Sequence, residues 1–200
     1  METLEFILKK YNVNPDFDNN PVPLGYSRWK EYPKLLKELG MNKGVEIGVY
    51  KGQFSETLCQ ANPDLDLTGV DAWTVYKDYK DYGVVDLETT AYDQAKIRAD
   101  RSHFKLMKAW SVDASKEFAD GSLDFVFIDG NHDFQHVVED VVAWSPKVRK
   151  GGIVSGHDFF RNHHKRFGVR EAIPAWCDAN QIKPLFAWIG DKCPSWMYVK

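Results

Sequence analysis

The chain of 200 residues carries a net charge of −3, and its 44% hydrophobic content is enough to build one core. This balance excludes a large basic surface, so no nucleic-acid partner is expected. The three cysteines lie far apart without a Cys-x-x-Cys pair, and no segment approaches the ~20 apolar residues that span a membrane. The start, METLEFILKK, also lacks the apolar run of a signal peptide. These features favour the reducing cytoplasm and argue against a disulfide framework, a zinc site or a membrane partner.

Two helices are predicted ahead of the first long strand. One covers residues 2–11, and the other has apolar residues at helical spacing from Trp29 to Leu39, with Gly40 as its C-cap. Between them, the turn-rich segment 14–23 is expected to be irregular.

Strands and helices then alternate along the chain. Strands are predicted at 43–48, 66–71, 104–109, 123–128 and 152–157, and helices at 52–61, 88–101, 112–118, 134–148 and 168–179. Two further candidate strands, 183–190 and 195–200, suit a hairpin that closes the sheet edge. The pattern predicts an α/β fold with a doubly wound, Rossmann-like, seven-stranded and mostly parallel sheet that has helices on both faces. We expect one domain over 1–200, with 1–40 as a helical extension of a core at 41–200.

A strand that runs into a glycine-punctuated turn is the first functional signal. In VEIGVYKG, residues 45–52, Gly48 and Gly52 remove side chains where the backbone must come close to a ligand. Glu46 places a carboxylate at the end of that strand, and Asp71 ends the next strand at the distance suited to ribose hydroxyls. A plain tight turn has the same glycines, but the second acid favours an adenosine-containing ligand.

The spacing Glu-x-Gly-x-x-x-Gly, followed by Asp71, resembles the first two motifs of the class I S-adenosylmethionine-dependent methyltransferases. The resemblance implies that the glycine turn cradles the methionine part of S-adenosylmethionine and that Asp71 takes the ribose. It also implies cofactor contacts at Ala72 and Trp73, and an adenine contact at Trp110 or Ser111 after the third strand. The other cofactor-binding candidates are Glu46, Gly48, Gly52 and Asp129.

The second signal is the run LDFVFIDGNHDFQHVVEDVVAWSPKVRKGGIVSGHDF, residues 123–159. Its apolar stretch FVFI suits a central strand that delivers Asp129 to the carboxyl edge of the sheet. GIVSG suits another buried strand, which delivers His157 and Asp158 to the same edge. The sequence therefore predicts that Glu46 and Asp71 share one rim with these three residues.

This run resembles a branch of small-molecule O-methyltransferases related to macrocin O-methyltransferase. Those relatives have an Asp after strand four and two adjacent metal ligands after strand five, so the resemblance implies a metal set of Asp129, His157 and Asp158. His157 stands where the relatives carry an acid. Two carboxylates and one imidazole can still hold Mg²⁺ or Mn²⁺, and the imidazole shifts the preference toward Mn²⁺, Fe²⁺ or Zn²⁺. The metal requirement stays open, because His157 or His132 can instead be the general base with Asp129 beside it.

Acceptor contacts are expected from the long connection 72–90, which contains Trp73 and three tyrosines, and from residues 12–30. The basic stretch RNHHKR, residues 161–166, suits an anionic acceptor or a solvated loop. The predicted function is methyl transfer to a hydroxyl of a small molecule such as a sugar, and a homodimer is compatible with it. The alternatives are a Rossmann-like nucleotide-binding oxidoreductase or sugar-nucleotide enzyme, and a non-catalytic domain that binds S-adenosylmethionine.

Overall fold

The protein is described here by a computed structural model that covers residues 2–15, 20–74, 90–160 and 167–200. Within these residues an eight-stranded sheet has the strand order β1-β7-β8-β6-β5-β2-β3-β4. Its strands are β1 (Val22–Leu24), β2 (Lys43–Ile47), β3 (Asp66–Asp71), β4 (Lys105–Lys108), β5 (Leu123–Ile128), β6 (Val148–Gly156), β7 (Phe186–Trp188) and β8 (Ser195–Val199). Only β8 runs antiparallel to its neighbours, so the sheet is mostly parallel as predicted.

The prediction of seven strands is wrong by one, because β1 begins within the segment 14–23, which the sequence predicts to be irregular. Val22 and Leu24 are buried, and β1 pairs in parallel with β7. The hairpin of β7 and β8 exists, but β1 covers its outer side and takes the edge of the sheet. Two prolines flank Val22, and prolines in a sequence argue against a strand. An edge strand such as β1 tolerates them, because its outer side needs no hydrogen-bond donors.

The helices lie close to their predicted positions, although most are shorter at one end or both. They are α1 (Thr3–Lys10), α2 (Arg28–Glu38), α3 (Gln53–Ala61), α4 (Tyr92–Ser102), α5 (Ser111–Ala114), α6 (Phe134–Trp144) and α7 (Val169–Ala179). Short 3₁₀ turns continue α5 and α6 over 115–117 and 145–147. No helix in the described part of the chain is long and apolar enough to cross a membrane.

Both faces of the sheet are covered by helices, and the strand β5 shows why. Phe125 and Phe127 point to one face, where they join a buried cluster with residues of α1, α2 and α3. Val126 and Ile128 alternate to the other face, where they pack with residues of α6 and α7. The continuous apolar run of this strand therefore reflects burial on both sides.

The carboxyl ends of the central strands form one level edge. Ile47 of β2 lies in register with Val70 of β3 on one side and with Ile128 of β5 on the other, and Ile128 pairs in turn with Gly156 of β6. The chain leaves β2 and β5 toward opposite ends of the sheet, which opens a crevice between them. Residues one step beyond these strand ends therefore meet around that crevice.

Candidate active site

A cavity of about 880 Å³ opens at this edge. It is lined by most of the residues that the sequence singled out, namely Glu46, Gly48, Asp71, Ala72, Trp110, Ser111, Asp129, His132, His157 and Asp158. Gly52 and Trp73 are not among the lining residues. Gly52 is instead the left-handed residue before α3, with a φ of 77°.

The end of β2 carries a buried acid. Glu46 is 2% exposed, and the Ser55 hydroxyl donates a hydrogen bond to its carboxylate. Burial raises the pKa of Glu46 to about 8, although Ser55 and Arg28 act in the opposite direction. The next residue but one, Gly48, has a φ of 84°, and a Cβ there would lie 1.9 Å from the Asp129 carbonyl oxygen. Residue 48 must therefore be glycine, because the chain after β2 comes very close to the chain after β5.

Asp71 organises the loops around the end of β3. Its carboxylate accepts hydrogen bonds from the amides of Tyr50, at 2.9 Å, and Trp73, at 2.7 Å. Burial raises the pKa of Asp71, and these amides and Lys108 oppose that rise. The expected role of the Trp73 side chain as a ligand contact is not supported, because the ring is fully buried and donates to the Tyr50 carbonyl at 2.8 Å. The rest of the aromatic connection, 75–89, lies outside the described residues.

Two carboxylates and two imidazoles meet at the ends of β5 and β6. His132 Nε2 lies 2.8 Å from Asp158 Oδ2 and 3.4 Å from Asp129 Oδ1. His157 Nδ1 lies 3.2 Å from Asp158 Oδ2 and 3.5 Å from Asp129 Oδ1. We call these four residues the carboxylate–histidine cluster. The sequence predicted the convergence of Asp129, His157 and Asp158, and the structure adds His132 to them.

The contacts of His157 within this cluster favour its protonated form. Its Nε2 donates to the Cys193 carbonyl at 3.1 Å, while its Nδ1 faces two carboxylates. Burial acts to lower the pKa of His157, but Asp129 and Asp158 outweigh it and raise the pKa to about 9. The same contacts, with His132, hold the pKa of Asp129 well below its usual range and that of Asp158 at about 2, against the effect of burial. Both carboxylates are therefore charged at neutral pH.

Arg28 is a site residue that the sequence did not identify by itself, although it falls in the region 12–30 expected to contact the acceptor. It is 6% exposed, packs over the rings of Trp29 and Phe54, and places Nη1 3.3 Å from Asp129 Oδ2. An arginine at the start of an amphipathic helix usually extends into solvent, and Arg28 and Asp129 are 101 positions apart. Its position depends on packing that local patterns do not reveal.

Asp140 of α6 was also missed. It is 5% exposed and lines the cavity, and the Ser111 hydroxyl donates to its Oδ1. Burial raises the pKa of Asp140 to about 7, partly offset by Ser111. A usable signal exists in the sequence, because Asp140 lies between Val137, Val141 and Trp144 on the apolar stripe of its helix.

Three residues of the cluster could hold a divalent metal ion. One ligand atom each from Asp129, His132 and Asp158 lies within 4.8 Å of the other two. Two carboxylate oxygens and one imidazole nitrogen suit Mn²⁺, Fe²⁺ or Zn²⁺ better than Mg²⁺. The donor set therefore fits a metal. Its imidazole ligand is His132, whereas the sequence predicts His157 in that place.

Residues 45–159 match the family described as "Methyltransferase domain", which is more than half of the chain. The chain therefore belongs to this family and has the fold of the class I S-adenosylmethionine-dependent methyltransferases. A curated relative, the uncharacterized protein y4gI of Sinorhizobium fredii (strain NBRC 101917 / NGR234), is 28% identical over 155 residues. That match covers 75% of this chain, which spans only 16% of the relative's length.

Solved structures support the same fold. An O-methyltransferase from Bacillus cereus in complex with S-adenosylhomocysteine (SAH) is 17% identical, with a TM-score of 0.65 over 99% of this chain and 90% of the other. TomG from Streptomyces achromogenes, an O-methyltransferase involved in tomaymycin synthesis and solved with S-adenosylmethionine, is 15% identical. Its TM-score is 0.64, over all of this chain and 90% of its own. At these identities the likeness concerns the fold, and the resemblance to the macrocin branch remains a prediction.

Proposed function

We propose that this chain transfers a methyl group from S-adenosylmethionine to a hydroxyl of a small molecule. The observation that carries the proposal is the meeting, in one cavity, of two sets of residues. One set is the acid–glycine turn of β2 with Asp71 of β3, and the other is the carboxylate–histidine cluster. The first set suits an adenosine cofactor, and the second suits the removal of a proton from an acceptor.

The cofactor is assigned to the side of the cavity formed by β2, β3 and β4. The backbone at Gly48 lines the cavity beside the methionine part, and Asp71 accepts hydrogen bonds from the ribose hydroxyls. Ser111 and the half-exposed Trp110 follow β4 and flank the adenine. The sulfonium of S-adenosylmethionine already activates the methyl group, so the protein mainly aligns the acceptor and takes its proton.

His132 is the member of the cluster that we assign as the proton acceptor. His157 is a poor base because both of its ring nitrogens already face acceptors that favour N–H groups. Asp158 Oδ2, 2.8 Å from His132 Nε2, accepts the hydrogen of that nitrogen, which leaves Nδ1 as the atom that takes the acceptor's proton; Asp158 then stabilises the imidazolium that forms. His157 then serves to keep Asp129 and Asp158 ionised, and Arg28 adds to this effect at Asp129.

A metal-assisted route is the second candidate, and it rests on the three ligand atoms of Asp129, His132 and Asp158. A divalent ion bound there would lower the pKa of an acceptor hydroxyl. His132 cannot be both a metal ligand and the free base, so the two candidates differ in how they respond to a chelator.

Aromatic rings on two sides of the cluster support a compact acceptor. Phe167 packs against His132 with ring centroids 4.7 Å apart, and Phe160 lies 5.5 Å from Phe167. On the other side, Trp29 and Phe54 contact edge to face at 5.2 Å. Such faces stack on sugar rings or flat groups. The basic stretch 161–166, expected to bind an anionic acceptor, lies outside the described residues.

The test begins with calorimetry of SAH on the full chain, which should give micromolar affinity, roughly −8 kcal/mol. Formation of SAH from S-adenosylmethionine is then measured with catechols and simple glycosides as acceptors. Binding of NAD with no response to SAH would support the oxidoreductase alternative. Cofactor binding without turnover on any acceptor would support the non-catalytic alternative, and methylation of only protein or nucleic acid would contradict a small-molecule acceptor.

A further inference from the structure

Arg28 is the only arginine or lysine among the described residues that line the cavity. Carboxylates are common on the same described wall, and they belong to Glu46, Asp71, Asp129, Glu139, Asp140 and Asp158. A guanidinium stays charged over the whole physiological pH range, whatever its surroundings. The permanent positive charge that this wall offers to an anionic ligand group is therefore at Arg28.

The guanidinium of Arg28 is buried, but few of its donors are used. It carries five N–H donors, and the side chain's one hydrogen bond to a described residue is the 3.3 Å contact of Nη1 with Asp129 Oδ2. Its Nε is buried and has no hydrogen-bond partner among the described residues. A buried charged group with unused donors carries a cost in free energy. A ligand that supplies acceptor oxygens would offset that cost.

Aromatic rings hold the guanidinium in place before a ligand binds. Its Cζ lies 4.9 Å from the ring centroid of Trp29, 4.8 Å from that of Phe54 and 5.5 Å from that of Phe127. The backbone amide of Arg28 also donates to Asp191 Oδ2 at 2.7 Å, which fixes the start of α2. A guanidinium that is ordered in advance loses little conformational entropy when it binds a carboxylate.

Arg28 lies next to the group that takes the acceptor's proton. Asp129 contacts Arg28 through Oδ2 and His132 through Oδ1, so the two side chains meet opposite oxygens of one carboxylate. A single small molecule can therefore place an anionic group at Arg28 and a hydroxyl at His132. The sulfonium of S-adenosylmethionine adds a positive charge close to that hydroxyl, which further favours an anionic acceptor.

We propose that Arg28 binds a carboxylate of the acceptor, which makes the acceptor a hydroxy acid. The inference rests on the proposed methyl transfer and names its substrate class. A planar guanidinium pairs with a carboxylate through two parallel N–H···O bonds. A phosphate would bring a second negative charge, and the described wall has no second arginine or lysine to meet it. Trp29 and Phe54, which also line the cavity, pack against the carbon skeleton between the carboxylate and the hydroxyl.

The experiment measures how matched acid and amide probes bind to the full chain saturated with SAH. Calorimetry at neutral pH compares protocatechuate with its amide, and glucuronate with glucuronamide. For at least one pair, the wild type should bind the acid at least about tenfold more tightly than the amide. Arg28→Met removes the charge but keeps an apolar stem against the rings, so it should bring that pair within about threefold. Lys30→Gln removes the same charge from an exposed position of α2 and should keep the wild-type preference.

The two proposals fail in different ways. If the wild type does not bind SAH, the proposed function is wrong. If it binds SAH but prefers neither acid over its amide, or if Arg28→Met keeps the full preference, only the role of Arg28 is wrong. That role is also wrong if Arg28→Met weakens binding of SAH far more than binding of methylthioadenosine, because Arg28 would then hold the methionine carboxylate of the cofactor.

Circular dichroism checks the fold of each variant. Arg28→Lys keeps the charge without the planar fork, so it should reduce the preference for the acid without abolishing it. This variant supplies the comparison if Arg28→Met does not fold, and an unchanged preference in it would contradict the paired hydrogen bonds.

Discussion

Replacing Gly48 with alanine tests whether the site depends on the close approach of β2 and β5. Gly48 has a φ of 84°, and an added Cβ would lie 1.9 Å from the Asp129 carbonyl oxygen and 2.8 Å from the Gly130 amide nitrogen. These are backbone atoms, so no side chain can rotate away to relieve the contact. The strand end that carries Asp129 must move, and part of the carboxylate–histidine cluster moves with it.

Gly40 supplies a matched control for the backbone conformation alone. Its φ is 63°, and a Cβ at that position would meet no atom within 4 Å. Gly40→Ala should therefore cost only the left-handed conformation, about 1 kcal/mol. Gly48→Ala pays the same cost plus the collision, for which overpacking of a dense interior suggests about 1–3 kcal/mol or more. The expected loss of unfolding free energy is about 2–4 kcal/mol.

Urea unfolding of both variants measures these losses, and calorimetry of SAH on each folded variant measures the site. Gly40→Ala should bind SAH like the wild type. Gly48→Ala should bind it at least tenfold more weakly, because the turn and Asp129 are displaced together. Equal stability losses in the two variants, or wild-type SAH affinity in Gly48→Ala, would refute the reasoning.

Three further outcomes are expected. Asp71→Ala should weaken SAH binding by about 1–3 kcal/mol in calorimetry, because charge-assisted hydrogen bonds to the ribose are lost. A chelator should abolish turnover, and Mn²⁺ restore it, if Asp129, His132 and Asp158 bind a metal; full activity in chelator would leave His132 as the base. Burial raises the pKa of Glu46 from 4.5 to about 8, so the wild type loses stability as the pH rises from the unfolded value toward 8. Glu46→Gln does not titrate, so its unfolding free energy relative to wild type should be about 3 kcal/mol higher at pH 9 than at pH 6. Urea unfolding measures this difference, and a difference that does not change with pH would contradict the raised pKa.

The sequence could predict the central sheet because its signals are local. The FVFI run of β5 and the alternation of strands with helices follow from burial on both sides of a parallel sheet. Strand ends in such a sheet meet at one edge, so Asp71, Asp129 and His157 could be placed together from their positions alone. The strand β1 could not be predicted in this way, because its three residues pair with β7, 164 positions later in the chain.

Sequence reasoning did not single out two cavity residues, Arg28 and Asp140. They differ in how much the sequence reveals about them. Arg28 reaches Asp129 only because α2 packs on the sheet face that presents Phe127, and nothing near Arg28 in the chain encodes that contact. Asp140 breaks the apolar stripe of its own helix, a local inconsistency that can be read without a structure. A charged residue on a buried face carries a free-energy cost unless polar groups compensate for it. Such a position is therefore a candidate for a functional site before the fold is known.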